Sequence, residues 1–192
     1  MSRLTLSQIE ERLNEKFESF THNVSRGYVD ANQFHYRVTE ILLQECKFPL
    51  QYIADGAFRN VYRIAGTPYV LKVPSGGGDG YFKHAQEEIA AYKLIRRSPK
   101  LKELRPYLTT FYSVNDEIGV ILTDYIRPLA KEYIAGGYTG KYKDQIDAIS
   151  KVIRKLSPAS DADLGLDKVD NWGVVNGDLK ILDLGCFTGE SC

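Results

Sequence analysis

Two oxygen-bearing side chains near the end of the chain, Asn171 and Asp183, are of the types that hold a small hard cation such as magnesium. Between them lies Asn176-Gly177-Asp178, a sequence suited to a type I′ turn, flanked by the strand-like runs Trp172–Val175 and Lys180-Ile181-Leu182. A hairpin through that turn would bring the two strands, and with them the two oxygen donors, together. A second chemically loaded residue is Lys72, in Val70-Leu71-Lys72-Val73-Pro74. A lysine on a buried apolar strand is costly unless it has an anionic partner. Glu88, in Gln86-Glu87-Glu88-Ile89-Ala90-Ala91-Tyr92, is the expected partner, with Glu87 as the competing choice.

These residues need elements to position them. Ser7-Gln8-Ile9-Glu10 reads as a capping box, and Ile9, Leu13, Phe17 and Phe20 then recur at helical spacing to about Asn23. Asp30 is the expected cap of a second helix with an apolar stripe of Phe34, Val38, Ile41 and Leu42, ending before Pro49. Short β-type runs follow at Leu50–Ile53, Asn60–Ala65 and Tyr69–Val73, the last two joined by Gly66-Thr67-Pro68. The glycine-rich run 75–80 reads as a connector, and His84–Arg97 as a helix stopped by Ser98-Pro99. Leu108–Val114 and Ile118–Ile126 form a hairpin through Asn115-Asp116-Glu117, and Tyr142–Leu156 a further helix.

The whole composition narrows the function classes. The 25 basic and 25 acidic residues cancel, leaving no global field to attract nucleic acid or an anionic membrane. With 43% apolar residues and 13 tyrosines, the chain reads as a folded soluble protein. Cys46, Cys186 and Cys192 lack paired metal spacing and fit a reduced, cytoplasmic setting. No apolar run approaches a membrane span.

In order, five features resemble the protein-kinase family. Ile53-Ala54-Asp55-Gly56-Ala57-Phe58-Arg59-Asn60-Val61-Tyr62 resembles its glycine-rich loop, which covers nucleotide phosphates. Only the central glycine, Gly56, is kept, with Phe58 and Val61; Ala54 and Arg59 stand where the family has its other two glycines. Val70–Pro74 resembles the strand whose lysine, here Lys72, contacts phosphates, and Glu88 matches the helix glutamate paired with it. Val120-Ile121-Leu122-Thr123-Asp124-Tyr125-Ile126 resembles the strand entering the adenine-binding hinge, with Thr123 at the gatekeeper position and Asp124 and Tyr125 in the hinge. Asn171 and Asp183-Leu184-Gly185 match the family's two magnesium ligands.

The resemblance implies an α+β fold over about residues 50–187. It comprises a five-stranded antiparallel N-lobe with one key helix (49–127), preceded by a helical hairpin (1–48) and followed by a reduced C-lobe (128–192). It is similar to the small divergent kinases of T7-like bacteriophages, and it implies ATP and Mg2+ as cofactors, a protein as substrate or partner, and a host-cytoplasm location if phage-encoded. One departure is chemical. In Leu164-Gly165-Leu166-Asp167-Lys168-Val169-Asp170-Asn171 the catalytic aspartate position holds Leu166, which cannot orient or deprotonate a nucleophile. Asp167, Asp163 and Lys168 are the nearby candidates for catalytic roles. The other departure is that only seven residues follow Gly185, too few for an activation segment and peptide-docking helices. Three functions follow from these features: a minimal phosphotransferase, a pseudokinase that engages a partner, or a small α+β binding protein that uses no nucleotide.

Overall fold

The computed structural model describes residues 4–25, 30, 33–56, 58–76, 79–129, 141–156 and 171–184. They divide into two compact units, one of residues 1–86 and 110–125, the other of residues 87–109 and 126–192.

The first unit begins with α1 (Leu6–Ser25). Its capping box lies two residues earlier than Ser7 and Glu10 would have it: the Gln8 N–H donates to Thr5 Oγ1 (3.3 Å) and the Thr5 N–H to Gln8 Oε1 (3.0 Å). Both quartets satisfy the pattern, but the earlier start brings Leu6 onto the helix, where it packs against the core. The expected stripe Ile9, Leu13, Phe17 and Phe20 is buried. Helix α2 (Phe34–Glu40) starts at Gln33, not Asp30, whose carbonyl instead accepts the Gln33 N–H. It continues into a π-helical turn, Ile41–Glu45. One extra residue in that turn lets Ile41, Leu42 and Cys46 all face the core.

Five strands follow, β1 (Leu50–Asp55), β2 (Arg59–Ile64), β3 (Tyr69–Pro74), β4 (Phe111–Asn115) and β5 (Val120–Asp124). They form one antiparallel sheet in the order β1-β2-β3-β5-β4. Because side chains alternate, the register sorts them onto two faces. Tyr62, Ile64, Leu71, Val73, Val120 and Leu122 share a core with α1 and α2. Val61, Lys72, Ile121, Val70 and Thr123 lie on the opposite face.

The turns explain themselves locally. Thr67 Oγ1 donates to the Ile64 carbonyl (2.7 Å) and accepts the Tyr69 N–H (3.2 Å), closing β2 onto β3. Between β4 and β5, Asn115 Oδ1 accepts the N–H groups of Glu117 and Ile118. Gly119 completes that turn at φ 69°, and a Cβ there would stand 2.5 Å from that of Ala85.

His35 ties α2 to the sheet. Its Nε2 lies 3.0 Å from the Tyr62 hydroxyl. Burial pushes the imidazole below its ordinary range, a backbone hydrogen bond at Pro74 opposing it. Since the unfolded chain then takes up a proton more readily than the folded one, this contribution is complete above a pH of about 6.5 and is lost as pH falls through the lowered folded value. The melting temperature is expected to fall on acidification from about pH 7.5 to 5.5. In His35→Phe that slope should flatten; an unchanged slope would assign it to other groups.

Helix α3 (Asp79–Arg97) begins five residues before His84, taking in Asp79 and Gly80 of the glycine run, and it crosses from the first unit into the second. A 3-10 helix, Pro99–Tyr107, follows where the sequence suggested no element. Leu108 is thereby drawn out of the expected hairpin and bridges Ile181 instead. The second unit also holds α4 (Lys141–Leu156) and a three-stranded sheet of β6 (Arg127–Pro128), β7 (Trp172–Val175) and β8 (Asp178–Ile181). The β6 strand turns the expected two-stranded hairpin into a sheet. Ala91, Ile95, Leu104, Leu108, Ile146, Ile149, Trp172 and Ile181 form its core. Among the described residues no helix is long and apolar enough to cross a membrane.

Candidate functional site

The candidate residues fall into two groups, one in each unit. In the second, β7 and β8 pair in register from Val175↔Asp178 to Trp172↔Ile181. Their turn has Asn176 at φ 52° and Gly177 at φ 88°, the two left-handed positions that a type I′ turn demands. At the other end the Leu182 N–H donates to the Asn171 carbonyl at 2.7 Å, extending the pairing by one step. Asn171 and the residue after Leu182, Asp183, therefore share the open end of the hairpin, each half-buried. Trp172, fully buried beside Asn171, anchors that end in the core.

The donor chemistry fits a magnesium ion. An amide oxygen and a carboxylate are two hard ligands, and magnesium fills its remaining positions with water and phosphate oxygens. Among the described residues there is no group of three or more His, Cys, Asp or Glu that would hold an ion without such help. Replacing Gly177 by alanine is expected to cost about 1 kcal/mol, since an L side chain is strained at that φ. A denaturation midpoint checks it, and an unchanged midpoint would mean that the turn tolerates a side chain.

In the first unit, Lys72 on β3 is half-buried and lies directly between Val61 of β2 and Ile121 of β5. Its Nζ is 6.0 Å from the centroid of the Phe111 ring. Val70 and Thr123 form the next pair on the same face. Thr123 is 2% exposed, and its Oγ1 has no hydrogen-bond partner among the described residues. A buried hydroxyl left in this way is costly, and the sheet face therefore holds an unused polar atom one pair away from Lys72. Glu88 is buried on α3, in the second unit.

The expected hinge contains one surprise. The Tyr125 N–H already donates to the Pro68 carbonyl at 2.6 Å, so it is committed within the protein. Its ring carries the Arg63 guanidinium 4.6 Å from the centroid. The carboxylate of Asp124 accepts the Tyr112 hydroxyl at 2.7 Å. Burial first, and that hydrogen bond second, push the Tyr112 phenol up to about 12.

Gly56 follows the last residue of β1, its N–H donating to the Arg59 carbonyl at 2.7 Å. A Cβ at Gly56 would meet nothing closer than 3.7 Å. Space in the turn is therefore not what calls for glycine there. Phe58 is 41% exposed, and its ring lies on His84 of α3. Sequence reasoning passed over His84; its position one turn before Glu88 on the same helix was the available signal. Asp163, Leu166, Asp167, Lys168 and Gly185 lie outside the described residues.

No family model matches the chain, and neither does any curated protein. Among solved structures the chain is similar to the streptomycin-ATP-APH(2")-IIa ternary complex, at 13% identity over 78% of this chain and 70% of that one, with a TM-score of 0.41. At those values the likeness bears on neither activity nor substrate.

Proposed function

We propose that this chain is a minimal kinase-like phosphotransferase that uses ATP and magnesium to modify a protein. What supports it most is the β7–β8 hairpin, whose open end carries Asn171 on one strand, paired to Leu182, and Asp183 next in the chain on the other. An amide and a carboxylate are the ligand types that would hold a magnesium ion accompanying a nucleotide. On this proposal Lys72 neutralises phosphate charge, with Glu88 holding its ammonium in place. Val61 and Thr123 flank the nucleotide, and the turn at Gly56 and Phe58 covers it. Magnesium, when bound, would supply charge neutralisation of the transferring phosphoryl group. Asp167, Asp163 or Lys168 would stand near the nucleophile. A phage origin would put the reaction in the host cytoplasm.

Two observations favour a second reading, a nucleotide-binding pseudokinase that acts on a partner without transfer. Leu166 stands where the family has its catalytic aspartate, and the Tyr125 N–H is already bonded to Pro68. A transfer assay with ATP labelled at the α- or γ-phosphate separates the two. The first reading expects γ-label on protein, falling to background in Lys72→Ala. Stabilisation by ATP and magnesium with no label moved would establish the second, and no stabilisation at all would leave a binding protein that ignores nucleotide.

A further inference from the structure

Two consecutive side chains, Phe58 of the β1–β2 turn and Arg59 at the start of β2, converge on His84. The Phe58 ring stacks on the imidazole with centroids 4.5 Å apart and planes 18° from parallel. On the same imidazole, Nδ1 lies 3.2 Å from Arg59 Nη2. A guanidinium has only donors, so in this hydrogen bond Nδ1 is the acceptor. Arg59 is 6% exposed, so this contact is shielded from water. Tyr81, three residues before His84 on α3, meets Phe58 edge-on at 6.1 Å. Gly76 fits beneath Tyr81, where a Cβ would stand 2.7 Å from the ring.

Two main-chain hydrogen bonds outside the strand ladders add to these contacts. The Ser75 N–H donates to the Phe58 carbonyl at 2.9 Å, and the Gly56 N–H to the Arg59 carbonyl. The strand leading into the turn is largely exposed, so little hydrophobic burial holds the turn. Without the side-chain contacts it would be among the first segments to open.

We propose that His84 is a positioning residue that latches the β1–β2 turn to the first turns of α3, so that turn and helix move as one body. The stack comes from the last residue of the turn and the hydrogen bond from the first residue of β2, which fixes both the height and the direction of the turn. Its functional meaning rests on the phosphotransferase proposal: a nucleoside triphosphate drawn under the turn would also move α3, which carries Glu88 one turn beyond His84. Arg59 takes the position where the resemblance expects a glycine, and in this way a bonded anchor replaces a free hinge.

Amide hydrogen exchange on the full chain tests the latch without any ligand. In His84→Ala, exchange over residues 55–60 should accelerate about tenfold while α1 is unchanged. His84→Phe, which keeps the stack, and His84→Asn, which keeps an acceptor near the Nδ1 position, should each restore part of the protection. Exchange over 55–60 within about twofold of the wild type in His84→Ala would overturn the proposal. If α1 also accelerates in that variant, Phe58→Ala, which removes a partly exposed ring, is judged by the same two outcomes. ATP with magnesium is then added to the wild type, where protection should appear in 55–60 and also in 84–97. If ATP protects neither segment while His84→Ala still frees the turn, the nucleotide proposal fails and the latch stands. If ATP protects 55–60 in the wild type and His84→Ala leaves 84–97 equally protected, the coupling is overturned.

Discussion

Replacing Asp183 by alanine is expected to abolish the magnesium-dependent part of ATP binding while leaving the fold intact. In the wild type, ATP with magnesium at about 100 times Kd would stabilise the protein by about 2.7 kcal/mol, a rise of several degrees in melting temperature. In Asp183→Ala that rise should vanish, and label transfer should fall by more than about 100-fold. The size follows from what is removed. Losing an outer-shell partner of a metal ligand already costs about 10–100-fold in affinity or activity, and Asp183 is the charged member of the pair itself. Asp183→Asn keeps the shape and one oxygen but not the charge, so it should fall between. Asn171→Ala should do less, because the ligand it removes is neutral. Since Asp183 lies beyond the paired residues of the hairpin, the β7–β8 ladder survives the change. A variant with the wild-type magnesium-dependent shift would remove Asp183 from the site.

Trp172→Ala is expected to cost about 3–5 kcal/mol and to lower the melting temperature by about 10 °C. Trp172 is 0% exposed and sits among Leu108, Ile146, Ile149, Leu179 and Ile181. Truncation leaves a cavity in a core shared by strand and helix residues, which relaxes only partially. It is the chain's one tryptophan, so its emission reports this core directly. In the wild type the emission should be blue-shifted and should move to the red at the same midpoint as loss of the second unit's structure. Trp172 also joins Asn171 to the core, and the alanine variant should lose magnesium-dependent ATP binding even below its melting temperature. Trp172→Phe, which refills most of the space, should recover both. A fall of under about 1 kcal/mol in Trp172→Ala would mean that the hairpin is held elsewhere.

Much of the fold was legible because its signals are local. The apolar spacing of α1, the stripe on α2, the Thr67 turn and the Asn-Gly pair each act within a few residues, and each forms where the pattern expects. Errors fell where two local patterns competed or where a distant partner decided. Thr5-x-x-Gln8 and Ser7-x-x-Glu10 are equal as motifs, and packing of Leu6 distinguished them. Leu108 has the character of a strand residue, yet it pairs with Ile181, 73 positions away, after a 3-10 helix in which Pro106 forbids a regular α-helix. The two-residue strand at Arg127–Pro128 has no periodicity to read. It exists because β7 offers an edge.

For the candidate site, the residue types and the I′ turn were decided by the sequence alone. Asn176 and Gly177 tolerate positive φ, so the hairpin and the neighbourhood of Asn171 and Asp183 follow from nearest-neighbour sterics. Tertiary structure decided the rest. Which sheet face receives Lys72 depends on α1 and α2 covering the other one. That the Tyr125 N–H is spent on Pro68, that Thr123 Oγ1 is buried without a partner among the described residues, and that Phe58 and Arg59 meet on His84 all depend on strand register and helix docking. Those are contacts between residues dozens of positions apart, and no local pattern encodes them, because their energies arise only once both partners have been brought together.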